Sequence, residues 1–463
     1  MNRRYWYFLS IIAVIVLALT TILGCSQPAQ PATPATTQTA PGVVKVGILG
    51  PMKFLSGDHQ WKGAALAVEE INAAGGFTVG NKKYTFEAVK VDDNCFVSTP
   101  DAASATEKAI TVDKVNFIIG GGRTEPVLAE QEVAMDHKTI YFGVSMANPP
   151  NLKILKDYGR YKYYFNMPDC ITTPNYSRLL VALVGPSVEA TKKALGTNKL
   201  KVALLMEKAV WADGIAAMVK DVLPKAGCEI VGEWRPAPLT TDVTSEFSAI
   251  KNANAQFIVD VFSADGGIAV ARQWGETKVP AVMAGTNSIA MKDTHWSTTN
   301  GNCNYEAYFD WQFPVGITDR TIPFYNAFTK KYTETATWTA AGAYDNIYVL
   351  KAALEKAGTL DADAMVTALE GIEVKGVSAP KVAFNDKTHP ESPHALKFGP
   401  GYTTGLALQW LDGKQRPFWP DGNELPKAIL DIGIPSGWDK VKYEGMSQFQ
   451  VAPWVVEYWK GKL

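Results

Sequence analysis

Residues 116–126 read NFIIGGGRTEP. An apolar stretch runs into three glycines and then into a helix start. A buried strand that ends in glycine and continues as a helix is the βα turn of a parallel α/β fold, where the glycines let the backbone come close to a ligand. The spelling argues against a nucleotide loop. A dinucleotide fingerprint needs G-x-G-x-x-G, and Glu125 stands where the last glycine should follow Gly120 and Gly122. An acidic side chain there would repel a pyrophosphate. No G-x-x-x-x-G-K-[ST] loop occurs anywhere in the chain. What remains is a general preference for an anion, from N–H groups at the helix start and from the Arg123 guanidinium, whose fork suits a carboxylate. The alternative is a tight turn with Arg123 in solvent or paired with Glu125.

The same alternation extends outward from this turn. VVKVGIL (43–49), KYTFEAVKVDD (83–93), VNFIIG (115–120) and TIYFGVS (139–145) read as strands. DHQWKGAALAVEEINAAGG (58–76) reads as a helix that Asp58 caps and Gly75 ends, with Trp61, Ala65, Val68 and Ile71 on one face. Thr99 and Pro100 open the next helix. The rhythm breaks at YYFNMPDCITTPNYSR (163–178) and restarts with the strands LKVALLME (200–207), CEIVGEW (228–234), AQFIVDVF (255–262) and VPAVMAG (279–285). Two α/β lobes with parallel sheets are expected. After EAYFDWQFPVGITDR (306–320) the pattern turns helical: IPFYNAFTKKY, WTAAGAYDNIYVLKAALEKAG and DADAMVTALEG, followed by strand-like KVAFND (381–386) and GLALQWLDG (405–413). A helical block that follows the second lobe need not belong to it, so the chain is expected to cross between lobes more than once.

The chain has 463 residues, a net charge of -1, a pI of about 6.6 and 47% hydrophobic residues. This balance argues against a nucleic-acid partner and supports a large core in two or more domains. Arg3 and Arg4 precede an apolar run from Tyr5 to Ile22, which ends in Leu23-Gly24-Cys25. That is a secretory signal (1–25), and the Cys after Gly24 resembles a bacterial lipobox in which Cys25 carries lipid; Leu23 departs from the usual small residue. The alternative is an uncleaved membrane anchor, since the run is nearly long enough to span a bilayer. Residues 26–43 are Pro/Thr/Ala-rich and read as an extended spacer. Four further cysteines, Cys95, Cys170, Cys228 and Cys303, form no C-x-x-C, so no metal or redox site is expected; if disulfides form, Cys95 with Cys170 is the preferred pair. His389 and His394 lie in THPESPHAL and read as surface residues. GVSMA (143–147) narrowly misses a G-x-S-x-G nucleophile elbow, and a hydrolase built on Ser145 would still need a histidine and an acid. No cofactor is expected.

In open α/β sheets ligands bind beyond the carboxyl ends of the strands. The 120–124 glycine turn, Ser145, Ser263 and Asn287 all follow strands, and two lobes would bring them to one cleft of backbone, hydroxyls and amides. The segments VVKVGILGPM, GAALAVEEINAAGG, VDDNC, FIIGG, MANPP and AGAYDNIYVLKAALEKAG, in this order, resemble the substrate-binding lipoproteins of branched-chain amino acid ABC transporters, the leucine/isoleucine/valine-binding type I periplasmic binding proteins, over residues 44 to 413. The resemblance implies two Rossmann-like lobes, 44–167 with 315–400 and 168–314 with 401–463, joined by crossovers and closing at hinges near 167–173 and 311–316. It places ligand contacts at Gly121, Gly122, Arg123 and Thr124, at Ser145 and Ala147, and at Trp211, Ser263 and Asn287. Arg123 stands at a usually small residue, Ala147 at a threonine, and Asn287 at a glutamate that accepts an amino acid's ammonium. These departures lean toward an acid without a free amine, or an amide. The implied function is solute capture outside the cytoplasm for an ABC permease, by a membrane-anchored monomer that is not an enzyme. A ligand-sensing module of a receptor is the alternative, and a Ser145 hydrolase the third reading.

Overall fold

The computed structural model describes residues 41–463 apart from 173–174, 423–424, 426, 433 and 436. Cys25, the apolar run and most of the spacer lie outside the described residues, as does the end of the first expected hinge. The first sheet comprises β1 (Gly42–Gly50), β2 (Phe77–Val79), β3 (Lys82–Asp92), β4 (Phe117–Gly120), β5 (Ile140–Gly143) and β6 (Tyr164–Asn166), in the order β2-β3-β1-β4-β5-β6. The second comprises β7 (Leu200–Met206), β8 (Cys228–Trp234), β9 (Phe257–Phe262), β10 (Val282–Asn287), β11 (Ala307–Asp310), β12 (Leu406–Leu411) and β13 (Lys414–Trp419), in the order β13-β12-β11-β10-β9-β7-β8. Neighbours pair in parallel except β2, β12 and β13. Central strands such as β4 and β9 are buried at every residue. Helices therefore cover both faces, and the strands read as continuous apolar runs.

The chain passes between the sheets three times: after β6, after β11, and before β12. Between the last two passes it returns to the first lobe. Helix Trp338–Ala357 packs on helix Leu55–Ala73 so closely that a Cβ on Gly63 would lie 1.9 Å from the Ala340 carbonyl oxygen. Phe384 packs on Phe165, with ring centroids 5.0 Å apart.

Several local expectations need correcting. Helix Leu55–Ala73 begins one turn early, with Phe54 at its N-cap; Asp58 sits in the first turn and pairs with Lys62 at 2.5 Å. Its buried residues include Gln60, Ala64, Ala67 and Ile71, whereas Trp61 and Ala65 are half-buried, because the helix is covered by the sheet on one side and by helix Trp338–Ala357 on another. Segment 381–386 makes only isolated bridges, Val374 with Val382 and Phe384 with Leu396, and is no strand. The short strands β6 and β11 lie in stretches that read as breaks in the pattern. His394 is fully buried: it stacks on Phe165 at 4.2 Å and bonds to the Tyr164 carbonyl at 3.1 Å. Cys95 and Cys170 are free, buried thiols, and Cys170 donates to the Ser145 carbonyl at 3.4 Å.

Candidate functional site

The glycine turn after β4 is a forced conformation. Gly120 and Gly121 have φ of 121° and 91°, and a Cβ on Gly120 would lie 1.9 Å from the Leu49 carbonyl oxygen. Glycine alone fits such a place. The Gln60 side chain donates to the Gly121 carbonyl at 2.9 Å and holds the turn. Helix Thr124–Asp136 then starts with Arg123 at its N-cap and no side-chain cap bond. Its first N–H groups have no intrahelical acceptor, which makes the turn electropositive. Behind it the Tyr141 hydroxyl donates to Glu130 at 2.5 Å. Burial pushes the neighbouring Asp93 carboxyl up to about 6.

The carboxyl ends of both sheets open onto two adjoining hollows. Gly122, Val144, Ser263, Ser288 and Trp338 border both. The first is also lined by Phe54, Ser56, Phe96, Asp265 and Ile289, among others. Arg123, Thr124, Met146, Tyr176, Trp211, Thr286, Met291 and Trp311 complete the second. Of the residues expected at the site, Gly122, Arg123, Thr124, Trp211 and Ser263 are brought together, from both lobes. Gly121 is buried behind them, and Ser145, Ala147 and Asn287 turn away. The Ser145 hydroxyl donates to the Ala147 carbonyl at 2.6 Å and is fully buried. The Asn287 amide donates to Glu306 at 2.7 Å and to the Gly267 carbonyl at 3.1 Å. Their chain neighbours Val144, Met146, Thr286 and Ser288 take the wall instead: Thr286 and Asn287 point to opposite sides of β10, and Ser288 opens a short 3-10 turn that the Asn287 side chain caps.

Sequence reasoning missed Glu207. It follows β7 and is fully buried, yet both its oxygens are bonded: Trp211 Nε1 donates to Oε1 at 2.7 Å, Ser263 N to Oε2 at 2.9 Å and Ser263 Oγ to Oε1 at 2.5 Å. Burial raises its pKa, while those donors and the Arg123 charge pull it back. The available signal was one acidic residue closing the apolar run LKVALLM.

A sequence profile described as periplasmic binding protein matches residues 43–396. The chain belongs to the periplasmic binding protein family. The Leu/Ile/Val-binding protein homolog 7 of Brucella abortus (strain 2308) is 24% identical over 405 residues, 85% of this chain and 94% of that protein. Similar solved structures share the fold at lower identity. The branched-chain amino acid transporter substrate-binding protein LivJ of Streptococcus pneumoniae, in complex with isoleucine, has a TM-score of 0.65 at 19% identity over 81% of this chain and 97% of its own. A solute-binding protein of an ABC transporter from Rhodopseudomonas palustris BisB5, in complex with 3,4-dihydroxy benzoic acid, has a TM-score of 0.64 at 20% identity over 81% and 95%.

Among the described residues of this binding protein, two clusters have metal-ligand spacing, His295 with Cys303 and Glu306, and Asp58 with His59 and Glu334. Neither favours an ion. Glu306 is already bonded by Asn287 and by His295 at 2.7 Å, and the Lys62 ammonium pairs with both Asp58 and Glu334. Ser263, whose hydroxyl donates to Glu207, borders both hollows of the cleft. The Arg123 guanidinium in the second hollow is loosely held: its Nη2 lies 3.4 Å from Glu125 Oε1, and its buried Nε has no hydrogen-bond partner among the described residues. Glu125 Oε1 also accepts from Val210 N at 3.4 Å, a bond from one lobe to the other across the rim.

Proposed function

We propose that this binding protein captures a small organic solute, an acid, amide or amino acid, outside the cytoplasm and delivers it to the permease of an ABC importer of the branched-chain amino acid uptake type. The observation that carries this reading is the cleft itself, in which strand ends and helix starts from two lobes supply backbone N–H groups, hydroxyls and aromatic walls to two adjoining hollows. Gly122, Arg123, Thr124, Trp211 and Ser263 are the expected contacts. The lobes are taken as 44–167 with 315–400 and 168–314 with 401–463. The protein works as a monomer tethered by lipid on Cys25, so Cys25→Ala should leave the membrane fraction. It does not turn its solute over, since the Ser145 hydroxyl is committed to the Ala147 carbonyl. Native mass spectrometry of the purified protein tests the reading: a retained small molecule, released on unfolding and taken up by cells carrying the cognate permease, is the expected result. Chemical conversion of that molecule by the protein would overturn it.

A further inference from the structure

We infer that the cleft selects an aromatic carboxylate that lacks an α-ammonium, with Arg123 reading the carboxylate. This rests on the solute-binding reading above and deepens it. The first observation is the charge inventory. The hollow that contains Arg123 has no carboxylate in its wall. Asp265 is exposed at the edge of the other hollow. Glu207 lies behind the wall with three donors on its two oxygens, so an ammonium would have to displace Trp211 or Ser263 to reach it. A carboxylate meets the reverse situation. The Arg123 guanidinium has five N–H donors and one long contact, to Glu125. Those free donors, with the N–H groups that open helix Thr124–Asp136, suit a bidentate anion.

The second observation is the wall opposite. Tyr176, Trp211, Trp311 and Trp338 border this hollow, with Met146 and Met291. Tyr176 meets Trp211 with centroids 5.9 Å apart at 63° and Trp311 with centroids 5.3 Å apart at 53°. Its hydroxyl is fixed by Thr286 Oγ1 at 2.5 Å, and Trp211 is fixed by Glu207. Rings held at these angles present faces and edges to a flat guest, and aromatic pairs gain from edge-to-face and offset contact beyond the area they bury. Thioether sulfurs favour the edge of a ring in the same way. A branched aliphatic chain would fill the space without using those geometries. The hollow that shares Val144, Ser263 and Ser288 leaves room for a substituent on the ring.

Titration calorimetry of the mature chain with benzoate, phenylacetate, benzamide, cyclohexanecarboxylate, phenylalanine and leucine tests the inference. The expected order puts benzoate or phenylacetate at least about tenfold tighter than benzamide, cyclohexanecarboxylate and both amino acids, from the usual strength of a charge-assisted contact. Arg123→Gln should weaken the aromatic acids about ten- to a hundredfold, with circular dichroism and a cooperative thermal transition showing that the variant folds. Tightest binding of leucine or phenylalanine, or equal acid affinity in Arg123→Gln, would overturn the inference while leaving solute binding intact. If none of the six binds and native mass spectrometry finds no retained molecule, both readings fall together.

Discussion

The Glu207 carboxylate takes three hydrogen bonds inside a site with no exposure to solvent, and through them it sets the positions of Trp211 and Ser263. In Glu207→Gln the amide nitrogen takes the place either of Oε1, facing the Trp211 indole N–H and the Ser263 hydroxyl, or of Oε2, facing the Ser263 backbone N–H, so at least one buried donor loses its acceptor. Bonds to a buried charge are worth about 1.5–3 kcal/mol each. The variant should therefore lose stability of about that size in urea unfolding and bind its solute more weakly; an unchanged midpoint with unchanged affinity would remove Glu207 from the site. A second group of carboxylates governs pH dependence. Burial pushes Asp310 up to about 8 and Asp345 up to about 7, the latter against the opposing pull of Arg320, and burial also raises Asp169 well above its usual range. A carboxyl whose folded pKa lies above its unfolded value stabilises the fold below the unfolded value, about 4, and that contribution is lost as pH rises through the folded pKa. Tm should accordingly fall between pH 5 and pH 9, by less in Asp310→Asn than in the parent. Glu132 and Glu334 are held down to about 2, Glu132 by Lys153, Arg160 and Tyr161 against burial and Glu334 by His59 and Lys62, so they act only in acid, outside this window. A flat Tm across it would remove these carboxyls as the source.

Contact between helices Leu55–Ala73 and Trp338–Ala357 depends on small residues at one crossing. Gly63 lets the Ala340 carbonyl approach to a distance that any Cβ would forbid, and Gly342 does the same for the Pro168 carbonyl, at 2.2 Å from a built Cβ. The second contact lies on the first interlobe crossover, where Ser378 also donates to Asp169. Gly63→Val should cost at least about 1–3 kcal/mol, the usual range for overpacking, read as a lower midpoint in guanidinium unfolding; no change would mean that the two helices separate freely. The sequence already showed both helices from their apolar spacing. It did not show that they touch, because the glycines that permit contact look in sequence like ordinary weak helix formers. Segment 381–386 shows the opposite failure. Its apolar alternation is real, yet a strand needs a neighbouring edge to bond, and here only two isolated bridges form. His394 sits in a polar, proline-containing turn that reads as surface, and it is buried because the returning chain lays it on Phe165.

Three passes between two sheets join the lobes, and Val210 N donates to Glu125 at 3.4 Å across the rim, beside other bonds between the lobes such as Thr335 N to Asp293 at 2.8 Å. Small-angle scattering should show the protein more open without solute than with a saturating aromatic acid, with a matching change in tryptophan emission from Trp211, Trp311 and Trp338. Identical curves in both states would argue against closure on the ligand. The α/β class, the two lobes, the glycine turn and the three late helices follow from the sequence alone, because they are written in local periodicity and in residues whose backbone preferences are strong. Ser263 was also legible as a strand-end position, and Trp211 only through the resemblance to a known family. Which side chains face the cleft was decided only in three dimensions. Ser145, Ala147 and Asn287 lie one residue away from Val144, Met146, Thr286 and Ser288, and a one-residue step along β10, or around the bend and 3-10 turn that follow the strands, decides which side chain faces the cleft. The aromatic wall, too, draws Tyr176, Trp211, Trp311 and Trp338 from four distant segments. Their meeting depends on the path of the crossovers, which no local pattern encodes.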